Sequence, residues 1–266
     1  MNRIDLTFSR LAETGRKALI PFITAGDPAL EATVPVMHAL VEAGADIIEL
    51  GVPFSDPMAD GPTIQRSSER ALKRGAGLEY VLKSVDEFRH RDTSTPIVLM
   101  GYLNPIEIHG PEAFAENAAK AGVDGVLLVD LPPEEAADIR ETFTAAGLAL
   151  VVLASPTTTD ERAEMLCDVA QGYLYYVSYA GVTGADRLDA AAAGGRIHRL
   201  RERSKVPVVA GFGIKDAQSA AAMAVDSDGV IVGSALVATL ASAGVENAAR
   251  SAATFLTPLR QALDAV

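Results

Sequence analysis

The chain has 266 residues, of which 49% are apolar and only 5% aromatic, with no Trp, a formal net charge of −12 and a pI near 4.8. This length suits one domain, residues 1–266, with a core built mainly from aliphatic side chains. The acidic charge repels phosphodiester backbones and offers no basic stripe, which excludes nucleic acid and anionic membranes as expected partners.

Compartment signals are few. The single cysteine, Cys167, allows no internal disulfide and no thiolate metal cluster. Asp5, Arg10 and Glu13 interrupt the N-terminal segment before an apolar stretch of signal-peptide length develops, and no later segment is apolar over a membrane-spanning length. We therefore expect a cytoplasmic protein.

About eight short apolar runs follow one another, separated by helix-like stretches: ALIPFIT, ADIIEL, PIVLMGY, DGVLLVD, LALVVLA, YLYYVS, VPVVAGF and DGVIVG. Because the runs are continuous, both faces of each strand are expected to be covered. The segments EAGADIIELG, KAGVDGVLLVD and AVDSDGVIVG repeat one pattern of helix end, turn, Asp and buried strand. The alternation favours a closed (β/α)8 barrel or a doubly wound sheet, and the pattern alone does not choose between them.

Turn and cap residues predict several helix boundaries. Thr33 is expected to cap a helix that carries Pro35 in its first turn, or else Pro35 kinks the helix. Thr159 and Asp160 are expected to cap a helix that closes at Gly172.

The segment IIELGVPFSDPMADGPTIQ carries two carboxylates near the end of the second predicted strand. Glu49 lies between Ile48 and Leu50, where a buried charge is costly unless it has a role or a partner. Asp60 follows two proline-containing turns, so both carboxylates can meet at the mouth of a barrel, where barrel enzymes hold their active sites. The alternatives are a strand-end charge that reaches solvent and an ordinary Asp-Gly turn.

Glycine-containing turns follow the last two predicted strands. AGFGI contains Gly213, and VGSALVATL places Gly233 and Ser234 directly before a short helix. Backbone N–H groups and the positive end of a helix suit a bound phosphate at this place. Turns that merely reverse the chain are the alternative.

Residues 179–195, YAGVTGADRLDAAAAGG, form a long Gly- and Ala-rich connection after the sixth strand. The length and position favour a mobile lid over the site, and a surface loop without function is the alternative.

Absences narrow the reaction class. No histidine falls at a predicted strand end, which argues against a histidine-ligated catalytic metal, and Lys215 suits a first helical turn better than a Schiff base. An apolar pocket would complete the candidate site, although ordinary barrel packing is the favoured explanation for most of the residues that could line it: Phe22, Met100, Leu127, Tyr175, Phe212 and Ile231.

These motifs resemble those of the tryptophan synthase α-subunit family. The match runs from PFITAGDP through ELGVPFSDPMADGPTIQ and GVTG to GFGI and GSA, so it spans nearly the whole barrel. The resemblance implies an α/β fold, a single-domain (β/α)8 TIM barrel with an extra N-terminal helix and a short helix after the eighth strand. One departure is Tyr179-Ala180 before GVTG, where relatives often carry a more polar pair.

The resemblance implies retro-aldol cleavage of indole-3-glycerol phosphate to indole and glyceraldehyde 3-phosphate. Glu49 is then the principal acid–base, Asp60 engages the indole N–H, and Thr183 meets the Asp60 loop when the lid closes. The substrate-binding residues that it implies are Phe22, Met100, Tyr102, Leu127, Tyr175, Thr183, Gly184, Phe212, Gly213, Ile231, Gly233 and Ser234.

The family also implies a partner, a β subunit that carries pyridoxal phosphate and consumes the indole within an α-β-β-α complex. This chain itself is expected to need no cofactor and no metal. Pro53, Asp56 and Pro57 match residues at the contact with the partner. A stand-alone indole-releasing lyase and a catalytically silent regulatory subunit are the alternatives, and the presence of both Glu49 and Asp60 argues against the second.

Overall fold

The computed structural model describes residues 2–177, 190–211 and 213–266. Parallel strands close into a barrel in chain order, because the last strand pairs with the first. The strands are β1 (Ala18–Thr24), β2 (Ile48–Gly51), β3 (Ile97–Gly101), β4 (Gly125–Leu128), β5 (Ala149–Ala154), β6 (Leu174–Val177), β7 (Val208–Gly211) and β8 (Gly229–Val232). Each predicted apolar run forms one of these strands, and the closed barrel is confirmed over the doubly wound sheet.

Helices cover the outside of the barrel. They are α1 (Arg3–Glu13), α2 (Thr33–Glu42), α3 (Pro62–Lys73), α4 (Leu78–Arg89), α5 (Leu103–His109), α6 (Pro111–Ala121), α7 (Ala137–Ala145), α8 (Asp160–Val169), α9 (Ala190–Arg203), α10 (Ala217–Ala224), α11 (Ser234–Ala243) and α12 (Ala248–Leu263). The extra N-terminal helix is α1 and the short helix after the eighth strand is α11, as predicted. No helix in the described ranges combines the length and the apolar character needed to cross a membrane.

Helix boundaries partly follow the prediction. Thr159 caps α8 by accepting the Arg162 N–H at 3.3 Å, but the helix already ends at Val169, before Gly172. Thr33 is the first residue of α2 and not its cap, because its hydroxyl accepts the Gly26 N–H at 2.9 Å instead.

The structure confirms the predicted place of Pro35, whereas the connection after β6 is shorter than predicted. Pro35 does lie in the first turn of α2, where its missing N–H costs no hydrogen bond. The predicted connection 179–195 is shorter than expected, because residues 190–195 belong to α9. The four alanines there favour helix strongly enough to tolerate Gly194 and Gly195. The rest of that connection, including Tyr179 and Ala180, lies outside the described residues.

The repeated pattern of helix end, turn, Asp and strand places an Asp side chain at the N-terminal end of the barrel. Its Asp precedes a strand each time and accepts the first or second backbone N–H of the strand before, which ties neighbouring strands together. The pairs are Asp46 with Leu19, Asp124 with Ile97 and Asp228 with Val208, at 2.9, 2.9 and 2.8 Å.

Each of these three Asp side chains also forms an ion pair with an arginine from a surrounding helix, and we call each such group an Asp–Arg bracket. The ion pairs are Asp46 with Arg260 at 3.0 Å, Asp124 with Arg89 at 2.9 Å and Asp228 with Arg201 at 2.7 Å. The Asp124 carboxylate also binds Arg3 of α1 at 2.9 Å. These three Asp–Arg brackets fasten helices to the barrel at the end opposite to Glu49 and Asp60.

We predict that Asp124→Ala lowers the free energy of unfolding by about 3–5 kcal/mol, because the largely buried Arg89 loses its partner and the Ile97 N–H loses its acceptor. Urea unfolding measures this change. The matched control is Asp86→Ala, whose exposed carboxylate only approaches His90, and it is expected to cost under about 1 kcal/mol. Equal losses in both variants would contradict the role of the bracket.

Candidate active site

Glu49 lies inside the barrel. It pairs in register with Phe22 of β1 and Val98 of β3, and its side chain is fully buried. Tyr173 Oη donates a hydrogen bond to Glu49 Oε1 at 2.6 Å, while Oε2 has no hydrogen-bond partner in the described part of the chain. Glu49 therefore does not reach solvent, which rules out the strand-end alternative.

Burial governs the protonation of Glu49. Loss of hydration raises its pKa to about 7, and the hydrogen bond from Tyr173 opposes that rise. Near neutral pH this carboxyl is divided between its acid and its base form. A group with such a pKa can both donate and accept a proton during one reaction cycle.

Asp60 is held by a hydrogen-bond network. Tyr102 Oη donates to Asp60 Oδ2 at 3.0 Å and accepts the Ala59 N–H at 3.0 Å. Gln65 Nε2 donates to the Asp60 carbonyl at 2.9 Å. Burial raises the pKa of Asp60, and the Tyr102 hydrogen bond lowers it. These contacts give the side chain a fixed direction, which an ordinary Asp-Gly turn does not need.

A small cleft opens at the C-terminal ends of the first strands. Its walls are apolar except for the Asp60 carboxyl, the Tyr102 hydroxyl and two small hydroxyls. They include Phe22, Ile64, Met100 and Val129. The cleft therefore combines an apolar surface with a carboxyl group that can accept a hydrogen bond.

Glu49 lies directly beneath this cleft. Gly51 lines the cleft, and Glu49 precedes it by two residues on the same face of β2, roughly 7 Å deeper along the strand. The Phe22 ring occupies the space that a side chain at position 51 would need, since a Cβ there would lie 2.6 Å from Phe22 Cζ. Phe22 therefore forms the floor of the cleft beside Glu49.

One of the two predicted phosphate turns, at Gly233, lies near the Phe22 side of the cleft. Gly233 precedes α11, and no side chain caps that helix end within the described residues, so its first N–H groups are available to an anion. A Cβ on Gly233 would lie 3.5 Å from Phe22 Cβ, so the helix end is close to the cleft. Ser234 is exposed, and Gly213 is exposed with a φ of +72°.

The other predicted site residues have different surroundings. Leu127, Tyr175 and Ile231 belong to the packed interior of the barrel and do not line the cleft. Thr183, Gly184 and Phe212 lie outside the described residues. Among the residues predicted to contact a partner subunit, Pro53 is buried, Asp56 is exposed and Pro57 is half-buried.

Tyr173 was not among the predicted site residues, although it binds Glu49. It precedes Tyr175 by two residues, and side chains two apart share a face of a strand. That period was the one signal in YLYYVS that links Tyr173 to a residue already considered.

Comparisons with known proteins agree on one family. The model of the tryptophan synthase alpha chain family matches residues 8–264. Curated tryptophan synthase alpha chains from Xanthomonas euvesicatoria pv. vesicatoria and Xanthomonas oryzae pv. oryzae are 73% and 72% identical over 266 residues, covering 99% of each chain. The structure of tryptophan synthase subunit alpha from Legionella pneumophila has a TM-score of 0.94 with 46% identity, and covers 100% of both chains. A chain of tryptophan synthase from M. tuberculosis, in its aminoacrylate-bound form, has a TM-score of 0.88 with 33% identity, over 99% of this chain and 100% of that chain.

We predict that Glu49→Gln stabilises the protein at alkaline pH. The pKa of Glu49 rises from 4.5 to about 7 on folding, so the free energy of unfolding falls as pH rises through this window. An uncharged Gln avoids the loss, which amounts to about 1–3 kcal/mol near pH 8 and disappears near pH 4.

Urea unfolding at the two pH values measures this difference. The control, Glu13→Gln at the exposed end of α1, is expected to change the free energy of unfolding little at either pH. A Glu49→Gln variant that is no more stable than the parent near pH 8 would contradict the burial cost.

Proposed function

The chain belongs to the tryptophan synthase alpha chain family, and we infer from this membership that it is a carbon–carbon lyase that cleaves indole-3-glycerol phosphate into indole and glyceraldehyde 3-phosphate. We propose that residues 1–266 act as one catalytic domain. The observation that carries the assignment of roles is the buried Glu49 carboxyl beneath an apolar cleft that Asp60 lines.

The substrate supplies its own electron sink in this reaction. Protonation of indole C3 generates an indolenine whose iminium group accepts the electrons of the breaking C–C bond. Removal of the proton from the neighbouring glycerol hydroxyl forms the aldehyde. We assign both proton transfers to Glu49, because its pKa of about 7 supports donation and acceptance near neutral pH.

Glu49 has to change its rotamer to act on a ligand in the cleft. Its carboxyl is bound to Tyr173 inside the barrel, and the cleft begins one layer of side chains above it. Oε2 has no hydrogen bond to lose among the described residues, so the rotation breaks one hydrogen bond, that to Tyr173, and has to pass the Phe22 ring. We propose that substrate binding shifts the carboxyl from Tyr173 toward indole C3.

Asp60 lines the cleft and is proposed to bind the nitrogen of the indole ring. Its carboxylate can accept the indole N–H and stabilise the positive charge that develops at the nitrogen. Tyr102 donates to one carboxylate oxygen at 3.0 Å, which favours the ionised form and fixes its direction. Phe22 and Met100 supply apolar walls for the ring.

The phosphate end of the substrate is assigned to Gly213, Gly233 and Ser234, together with Gly184 outside the described residues. The net charge of −12 opposes an anion at long range, so the phosphate has to be held locally. The N-terminus of α11, which no side chain of the described residues caps, provides N–H donors and positive potential next to Phe22. Leu127, Tyr175, Phe212 and Ile231 complete the proposed set around the substrate, with Thr183 as a lid contact.

A β chain is proposed as the partner, in an α-β-β-α complex that passes indole to pyridoxal phosphate held by β. This chain is proposed to need no cofactor or metal of its own. The loop of residues 53–57 supports the contact, because Asp56 is exposed on the face that also bears the cleft. Met58, next to that loop, exposes 84% of its surface, an apolar group suited to burial by a partner. A cytoplasmic location agrees with a chain whose single cysteine is free.

We predict that Glu49→Gln lowers the rate of indole release at least about 10²–10⁴-fold, because an amide cannot exchange the proton. Binding of glyceraldehyde 3-phosphate is expected to stay unchanged, since the phosphate turns lie apart from Glu49. An indole-release assay with isothermal titration calorimetry measures the two effects, with Glu13→Gln as a control. Near-normal turnover by Glu49→Gln would show that another group is the acid–base.

We predict slow turnover by the chain alone and faster turnover when a matched β chain is added. The comparison separates the proposed subunit from the alternatives of the same fold. A stand-alone lyase turns over fast without β and gains nothing from it, whereas a silent regulatory subunit releases no indole in either case. No acceleration by β would contradict the proposed partner.

A further inference from the structure

The N-terminal helix α1 closes the bottom of the barrel. Its residues Ile4, Phe8 and Leu11 are buried and belong to one cluster with the inward-facing side chains of the strands. Their spacing places them on one face of the helix. The opposite face carries exposed residues such as Leu6, of which 52% is accessible.

Two glycines at the bottom of the barrel leave room for this face. A Cβ at Gly125 would lie 3.1 Å from Ile4 Cδ1, and one at Gly172 would lie 3.3 Å from the same atom. Side chains at these positions would therefore crowd Ile4. The bottom of the barrel thus fits the inserted helix closely.

Polar contacts fasten α1 in this position. The Asn2 side chain caps the helix and donates from Nδ2 to the Asp124 carbonyl at 2.7 Å and to the Gly147 carbonyl at 3.0 Å. Arg3 binds the Asp124 carboxylate at 2.9 Å. The helix therefore has a defined depth in the barrel.

A short chain of contacts leads from α1 to Glu49. The rings of Phe8 and Tyr173 lie with their centroids 6.1 Å apart and their planes tilted by 56°. Tyr173 is fully buried, and its hydroxyl binds Glu49 at 2.6 Å. Phe8 thus packs against the residue that holds the carboxyl.

We propose that Phe8 is a positioning residue for the cleavage reaction, because it holds the Tyr173 ring and keeps water from reaching Glu49 through the bottom of the barrel. The proposal rests on the assignment of Glu49 as the acid–base. Glu49 then exchanges protons only with the cleft above it, and the buried face of α1 supports the reaction although it lies at the opposite end of the barrel.

The neighbours of Glu49 make its proton affinity sensitive to water. The titratable groups that face it are Tyr175 on β6 and Tyr173, which directly precedes that strand. Phe22 and Val98, its neighbours on the adjacent strands, are apolar, as is the inserted face of α1. Since burial is the largest cause of the raised pKa of Glu49, water admitted from below would lower that pKa.

The test is the pH dependence of indole release by the full chain carrying Phe8→Ala. Removal of the ring leaves space next to a polar pair, where water can enter and bind. The limb of the pH profile that Glu49 governs is expected to move down by about one pH unit, and kcat is expected to fall about tenfold. Leu6→Ala, on the exposed face of the same helix, is expected to leave the profile and kcat unchanged.

Phe8→Leu is the second variant, because it keeps an apolar plug and protects the measurement if Phe8→Ala folds poorly. Its profile is expected to stay within a few tenths of a unit of the parent. A fall in kcat for Phe8→Ala with an unmoved profile would overturn the proposal and leave Phe8 a purely structural residue. A shift for Phe8→Leu as large as that for Phe8→Ala would overturn it too.

A different result would contradict the assignment of Glu49 as the acid–base, on which this proposal rests. Normal turnover by Glu49→Gln would remove the assignment of Glu49 itself, whatever Phe8 does. Loss of turnover in Glu49→Gln together with an unmoved profile in Phe8→Ala would overturn only the role of Phe8.

Discussion

A single hydrogen bond inside an apolar barrel, from Tyr173 to Glu49, is the interaction on which the site depends. A carboxyl that is fully removed from water pays a large cost for its charge, and one hydroxyl donor offsets only part of it. We propose that this cost persists because a carboxyl with a pKa of about 7 can carry a proton near neutral pH. In the proposed mechanism, Glu49 is therefore a position where activity is obtained at a cost in stability.

The two ends of the barrel divide these tasks. At the N-terminal end, the three Asp–Arg brackets tie strands to one another and to the helices, and α1 seals the opening. At the C-terminal end, the cleft combines Asp60 with apolar walls, and the N-terminus of α11 lies near Phe22, which lines the cleft. This division agrees with the general rule that loops at the C-terminal face carry the active sites of barrel enzymes.

Much of the fold could be predicted from the sequence, since continuous apolar runs separated by helical stretches specify strands covered on both sides. That Glu49 needs a partner or a role could also be predicted, because an acid inside an apolar run is costly to bury; the structure shows its burial and the partner Tyr173, while its catalytic role stays a proposal. Closure of the sheet could not be predicted from the pattern of apolar runs, because nothing in that local pattern distinguishes a barrel from an open sheet. The role of Tyr173 depends on that closure, which brings residues 49 and 173 together across the barrel.

Other details depended on competing local effects. Thr33 has the chemistry of a cap, but its hydroxyl binds Gly26 and Tyr80 instead, and no sequence pattern reports that choice. The alanines of residues 190–193 form helix where the glycines that follow suggested a loop. Leu127 and Ile231 resemble pocket residues by position, yet both pack in the barrel interior.

Titration of the Glu49 carboxyl itself tests the central claim most directly. Carbon-13 NMR of protein labelled at glutamate side-chain carboxyls, with Glu49→Gln to assign the signal, follows this single group across pH. The account predicts a midpoint at about 7. A midpoint near the ordinary 4.5 would show that the carboxyl is hydrated in solution, and would contradict the buried acid–base on which the mechanism rests.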